Sequence, residues 1–178
     1  TVAAGQVLAA GRLGSEYEVD EDGRVTVKTS EQGYLEVYYA NKKNSKCVIL
    51  YPGGGYAVHH AGGIASVIED FRGSDVTLIV DYFTLPNKGL LRDRSLEDAN
   101  AALDLALKNK ALWGGYEKVG LIGNSAGGHL AGYIGQTRHA DVDFQILIYP
   151  VVTLTPGKTH EGTLLYWLGS NPSQEEID

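Results

Sequence analysis

No methionine occurs among the 178 residues, cysteine occurs once, at Cys47, and phenylalanine only three times. One cysteine excludes an internal disulfide framework, so packing and hydrogen bonds must hold the fold. Cationic residues are in the minority, 15 Lys and Arg against 22 Asp and Glu, a net charge of −7. That balance gives no electrostatic footprint for nucleic acid or an anionic membrane surface, and neither is expected as a partner. No apolar run approaches the roughly 20 residues that a membrane-spanning helix needs. The first fifteen residues, TVAAGQVLAAGRLGS, lack the basic start and sustained apolar centre of a secretory signal. We read residues 1–15 as a loosely specified N-terminal segment from which no localisation follows, and residues 16–178 as one domain. Nowhere do His, Cys and carboxylates fall at metal-ligand spacing, so no catalytic metal and no cofactor are expected.

Glycine, by contrast, is in excess, with 23 residues against an average usage of about 7%. Around the glycines the chain has two textures. Arg24 to Lys28 (RVTVK) and Tyr34 to Tyr39 (YLEVYY) alternate apolar and polar residues and follow the turn-formers Asp22-Gly23 and Gln32-Gly33, which predicts an antiparallel meander. From Cys47 onward, CVILY (47–51), VTLIVDY (76–82), VGLIG (119–123) and FQILIYP (144–150) are continuous apolar runs, the pattern of strands buried on both faces of a parallel sheet. Between them the period is helical: Ile64, Val67, Ile68 and Phe71 form one stripe, and Leu96, Ala99, Leu103, Ala106 and Leu107 another. Ser95 with Asp98 three residues on reads as a capping box opening the second helix, while Lys108, Lys110 and Gly114-Gly115 mark its end. A meander followed by β-α-β-α-β-α-β predicts an α/β domain, its sheet mainly parallel and its helices on both faces.

Two glycine-rich turns carry the chemistry. Gly123-Asn124-Ser125-Ala126-Gly127-Gly128 fits G-x-S-x-G, lies between the strand VGLI and a helix predicted from Ala126 to about Thr137, and would lift the Ser125 hydroxyl above the carboxyl edge of the sheet. A helix N-terminus there adds N–H groups where negative charge would develop. A structural glycine turn is the competing reading. Pro52-Gly53-Gly54-Gly55-Tyr56 follows the strand CVILY, and three consecutive glycines at a strand end can turn their N–H groups into one cavity. A phosphate-binding loop is the competitor, but neither G-x-x-x-x-G-K-[ST] nor G-x-G-x-x-G occurs at this point. Gly53, Gly54 and Gly55, with the N–H of Ala126, are therefore the candidate oxyanion donors. Tyr56, His59, His60 and Asn124 stand beside these turns as candidate substrate contacts. Tyr38, Tyr39, Tyr51 and Tyr82 are candidates for an aromatic platform or ordinary strand residues.

PGGGY after one strand, Leu85-Pro86 after the next, SLEDANAAL on a helix, LWGGYEKVGLIGNSAGGHLA and DFQILIYPVV together resemble the α/β-hydrolase superfamily. The likeness is to its small microbial esterases related to acetylxylan and feruloyl esterases, and more distantly to hormone-sensitive-lipase-type enzymes. It runs from about Leu35 to Asp178. It implies hydrolysis of small acyl esters, of acetyl or feruloyl type on carbohydrate, by a Ser-His-Asp triad with Ser125 as nucleophile. Pro52 stands where the histidine of HGGG would be, a variant used in this branch, and Phe83 stands where relatives carry arginine. An amidase, formamidase or peptidase of the same fold would share the chemistry at Ser125 and stays open.

In this fold the acid and the histidine follow the serine in the chain. After Ser125 the histidines are His129, His139 and His160, and the acids are Asp141, Asp143, Glu161, Glu175, Glu176 and Asp178. Asp143 precedes its strand and belongs at the opposite edge from Ser125. His129 reads as a packing or hydrogen-bonding residue, and His160 as a loop residue near the cleft. We therefore expect the C-terminal part of the fold, with the triad acid and histidine, to lie outside this sequence. A catalytically silent hydrolase-like binding domain is the alternative if it does not. The absence of methionine, with a span from Tyr56 to Gly62-Gly63 one residue shorter than in relatives, suggests lost native positions; an ordinary deletion and a methionine-free engineered chain explain these features equally.

Overall fold

The computed structural model describes residues 7–8, 17–19, 24–40 and 46–177. Of the N-terminal segment, Val7–Leu8 form a short strand, β1, and the rest of residues 1–15 lies outside the described residues. The other strands are β2 (Tyr17–Val19), β3 (Val25–Lys28), β4 (Tyr34–Tyr38), β5 (Lys46–Tyr51), β6 (Val76–Tyr82), β7 (Lys118–Asn124) and β8 (Phe144–Ile148). The helices are α1 (Ala61–Phe71), α2 (Arg92–Lys108), α3 (Ala126–Thr137), α4 (Glu161–Leu168) and α5 (Gln174–Ile177). They build one eight-stranded sheet in the order β1-β2-β3-β4-β6-β5-β7-β8, antiparallel through the pairing of β4 with β6 and parallel from β6 to β8.

Period-two burial divides the core into two layers. Cys47, Ile49 and Tyr51 of β5, with Ile79 of β6 and Leu121 of β7, pack against Ala99 and Leu103 of α2 and Leu130 and Ile134 of α3. Val48 and Leu50, with Leu78, Val80 and Ile122, face Ile64 of α1 on the other side. The uninterrupted apolar runs of β5, β6 and β7 are needed because both faces are covered. β8 departs from the expected two-sided burial: Ile146, Leu147 and Ile148 are 40%, 42% and 37% exposed. It pairs with β7 alone and ends the described sheet on that side, so its outer edge pairs with no strand among the described residues.

The second helix also differs from its expected start. α2 begins at Arg92, and its N-cap, Leu91, makes no side-chain cap bond. Ser95 lies inside the helix and donates to the carbonyls of Thr84 and Leu91. Asp98, instead of closing a capping box, accepts from the Thr84 N–H at 2.8 Å and from the Ser30 hydroxyl at 3.1 Å. A buried carboxylate thus ties the β3–β4 turn and the chain leaving β6 to the middle of α2. Backbone donors so far from water need an acceptor. Replacing Asp98 by Ala would orphan the buried Thr84 N–H, and we predict a loss of about 1–3 kcal/mol, read as a lower urea midpoint at unchanged slope.

Candidate active site

All of the parallel strands end at one edge of the sheet, where an open α/β fold gathers its functional residues. At that edge the chain passes from β7 through Asn124-Ser125 into α3. Ser125 has φ 54° and ψ −121°, a left-handed backbone that a residue with a Cβ occupies only at a cost of about 1–3 kcal/mol. Both of its backbone groups are held. Its N–H donates to the Ile148 carbonyl at 3.0 Å, and its carbonyl accepts from Val151 N–H at 3.2 Å and His129 N–H at 3.1 Å. Glycine is required on either side, because a Cβ at Gly123 would strike the Gly127 carbonyl and one at Gly127 would strike the Tyr51 carbonyl.

That second approach presses the N-terminus of α3 against the end of β5, where Pro52-Gly53-Gly54-Gly55-Tyr56 begins. Gly54 and Gly55 take φ of 134° and 63°. Gly53 is engaged: its N–H donates to Asn124 Oδ1 at 3.1 Å, and its carbonyl accepts from His60 N–H at 2.9 Å. The N–H groups of Gly54 and Gly55 have no acceptor among the described residues, and Ala126, as the first residue of α3, has no intrahelical carbonyl to reach. Asn124 links the two turns to a third element, since its Nδ2 donates to the Tyr149 hydroxyl at 3.1 Å. Tyr149, with φ 37° and 70% exposure, lies just after β8 and opens onto this edge. The sequence reading had taken it for strand; the Tyr-Pro dipeptide was the available signal that the strand ends there.

The histidines separate by environment. His59 is partly buried, with its Nε2 2.8 Å from the Phe83 carbonyl; a carbonyl accepts, so the proton sits on Nε2, and Nδ1 is a buried acceptor without a partner among the described residues. Burial pushes its pKa down. His60 and His160 are exposed N-caps of α1 and α4, each accepting a helix N–H on Nδ1, from Gly63 at 3.0 Å and Thr163 at 3.1 Å. The His160 ring lies against Gly55, its Cε1 3.6 Å from where a Cβ would stand. His129 Nδ1 lies 2.7 Å from the Tyr56 hydroxyl, and burial pushes this imidazole down to about 4. Tyr56 is 1% exposed, which leaves its ring no surface to offer a substrate.

The remaining carboxylates are elsewhere. Asp143 accepts from the Val119 N–H at 2.8 Å, at the amino end of β7, roughly 20 Å from Ser125 at the rise of a strand. Glu161 accepts from the Gly157 N–H at 3.0 Å. Asp81, which the sequence reading did not single out, is fully buried on β6 with neither oxygen partnered among the described residues; burial first, and the charge of Asp98 second, push it well above the usual carboxylate range. Two positions on, Phe83 fills the expected arginine position with a buried ring set edge-on to Tyr56. A cavity of about 730 Å³ lined by Arg24, Tyr38, Phe71 and Arg72 lies at the amino end of β6, away from this site. No group of three His, Cys, Asp or Glu among the described residues could hold a metal ion.

Comparison with known proteins agrees with this fold. Residues 48–168 match a family model described as alpha/beta hydrolase fold. The chain is 24% identical over 159 residues to an acetylxylan esterase of Xylanibacter ruminicola, the match covering 82% of this chain and 31% of that protein. Among solved structures, an acetyl ester-xyloside bifunctional hydrolase from Caldicellulosiruptor lactoaceticus superposes with a TM-score of 0.67 at 25% identity, over 82% of this chain and 58% of the other. A sugar hydrolase from Lactococcus lactis gives 0.67 at 27% identity, over 74% and 55%. The chain therefore spans about a third of the curated relative's length and just over half of these two structures.

The burial of His129 has a consequence for stability. Its folded pKa of about 4 lies below the ordinary 6.5, so the unfolded chain takes up the proton first on acidification. The stability that this neutral histidine contributes is complete above pH 6.5 and is lost as pH falls from 6.5 towards 4. We predict that His129→Gln flattens the fall in urea midpoint over that interval, by roughly 2–3 kcal/mol at its acid end.

Proposed function

The chain belongs to the alpha/beta hydrolase fold family, and on that premise we propose that it carries the nucleophile and oxyanion-binding half of a serine esterase for small acyl esters. The observation that carries this reading is the left-handed Ser125 at a strand-to-helix elbow, facing a glycine turn with unused N–H groups. Ser125 Oγ attacks the ester carbonyl carbon; the C=O bond becomes a C–O⁻ single bond and the hydroxyl proton passes to a general base. The oxyanion is held by the N–H groups of Gly54, Gly55 and Ala126, while Gly53 fixes the turn through Asn124. Collapse of the adduct expels the alcohol, which takes the base's proton, and water then releases the acid from the acyl-serine.

None of the described histidines suits the role of base. His129 is turned into the core against Tyr56, and His160 accepts a helix N–H on Nδ1, so its neutral form carries the proton on Nε2. We place the base and its acid on chain outside the described residues, packed beside β8, whose exposed Ile146, Leu147 and Ile148 offer an apolar strand to cover. Acetyl groups on xylan-type carbohydrate are the proposed substrates, supported by the names of the acetylxylan esterase and the acetyl ester-xyloside hydrolase. His59, His60 and Asn124 border the site as proposed contacts.

In the protein at its natural full length, a fluorophosphonate probe is expected to label Ser125. Ser125→Ala should abolish labelling and lower p-nitrophenyl acetate turnover by at least about 10³-fold. Normal turnover in that variant, or labelling at another residue, would sink the proposal.

A further inference from the structure

The oxyanion donors proposed above come from two separate elements, the glycine turn after β5 and the first turn of α3, and both must keep their relative position to within a fraction of an ångström. Asn124 joins them at the start of the turn, and Tyr56 joins them at its end. It ends the turn in a left-handed conformation, φ 62°, directly after two glycines that also have positive φ. Its ring is buried, stacked on Trp167 of α4 at 4.5 Å between centroids and 24° between planes, with Phe83 edge-on at 6.1 Å. Its hydroxyl crosses to His129 Nδ1 at 2.7 Å. His129 in turn donates its backbone N–H to the Ser125 carbonyl at 3.1 Å, one helical turn past the nucleophile.

Burial keeps the Tyr56 phenol protonated and His129 neutral, so the two share one hydrogen bond without a charge; with the imidazole proton on Nε2 the phenol donates and Nδ1 accepts. We propose that Tyr56 is a positioning residue: its bond to His129 latches the glycine turn to α3 and so sets the spacing between the N–H groups of Gly54 and Gly55 and that of Ala126. This rests on the serine-esterase reading. Trp167 holds the Tyr56 ring from behind, and the hydroxyl fixes the remaining freedom of the turn, its movement along α3. A misplacement of this kind leaves substrate binding largely in place and is felt where charge develops on the carbonyl oxygen.

Tyr56→Phe tests this in the full-length protein, because the ring and its stacking stay while the latch goes. Per Ser125 labelled by fluorophosphonate, kcat should fall by about 10- to 100-fold with KM within about threefold, and amide exchange in residues 53–58 should accelerate. His129→Leu should do the same, His129→Gln should recover much of the loss because its amide oxygen accepts, and the Tyr56→Phe/His129→Leu pair should be no worse than either single change. Wild-type kcat per labelled site with unchanged exchange in Tyr56→Phe, or fully additive losses in the pair, would overturn the proposal. So would a loss of turnover explained wholly by fewer labelled sites, the signature of a merely structural role. If wild-type protein is not labelled at Ser125, the esterase reading fails by itself, and the latch is decided by exchange in residues 53–58 alone.

Discussion

The candidate site depends on one close approach of backbone to backbone. Gly127, in the first turn of α3, lies so near the end of β5 that any side chain there would collide with the carbonyl of Tyr51 and with Pro52. Because α3 starts immediately after Ser125 and the glycine turn starts immediately after Tyr51, that contact brings the proposed nucleophile and the proposed donors together. The remaining glycines follow from it. Gly123 lets the helix fold back onto β7, and Gly54 and Gly55 turn the chain with positive φ, Gly54 in close contact with the Val58 carbonyl. The glycine excess of the sequence is in part the consequence of placing two backbones in contact where side chains would ordinarily keep them apart.

Polar groups below this edge are arranged unequally. Asp98 accepts from two donors and joins three segments, whereas Asp81, close enough to feel its charge, has no donor among the described residues. A carboxyl without donors in an apolar layer is pushed above the usual carboxylate range, since ionising it there costs far more than in water. The aromatic layer beside them packs Phe83, Tyr56, Trp167 and the edge of His129 against one another.

Much of this was legible in the sequence, for stated reasons. Apolar runs of five to seven residues between helical stripes gave the parallel core, and G-x-S-x-G between strand and helix gave the elbow and even the bounds of α3, Ala126–Thr137. What escaped was long-range. Ser95 and Asp98 have the spacing of a capping box, but Asp98 turns to Thr84 and Ser30 instead, a choice made by tertiary packing that no local window contains. Gly53 looked like a third donor until Asn124, 71 residues on, claimed its N–H. Tyr56 looked like a pocket residue because it follows the glycines; its burial comes from Trp167, more than a hundred positions away. The apolar sequence of β8 matched a covered strand, and whether a strand is covered depends on its neighbours in the sheet.

The bonds that hold Ser125 from outside its own helix reach across to the end of β8 and the chain just past it, through Ile148 and Val151. Among the described residues β8 pairs on one side alone, with β7, and a strand held on one side opens more readily than one held on both. The unfavourable backbone torsion of the serine is therefore maintained from an edge of the described sheet. Were the end of β8 to lift, the elbow would be free to relax, so the backbone shape of Ser125 is a measure of how firmly that strand is seated. Anything that seats β8 more firmly, without touching the serine, lengthens the fraction of time the serine spends in its strained form.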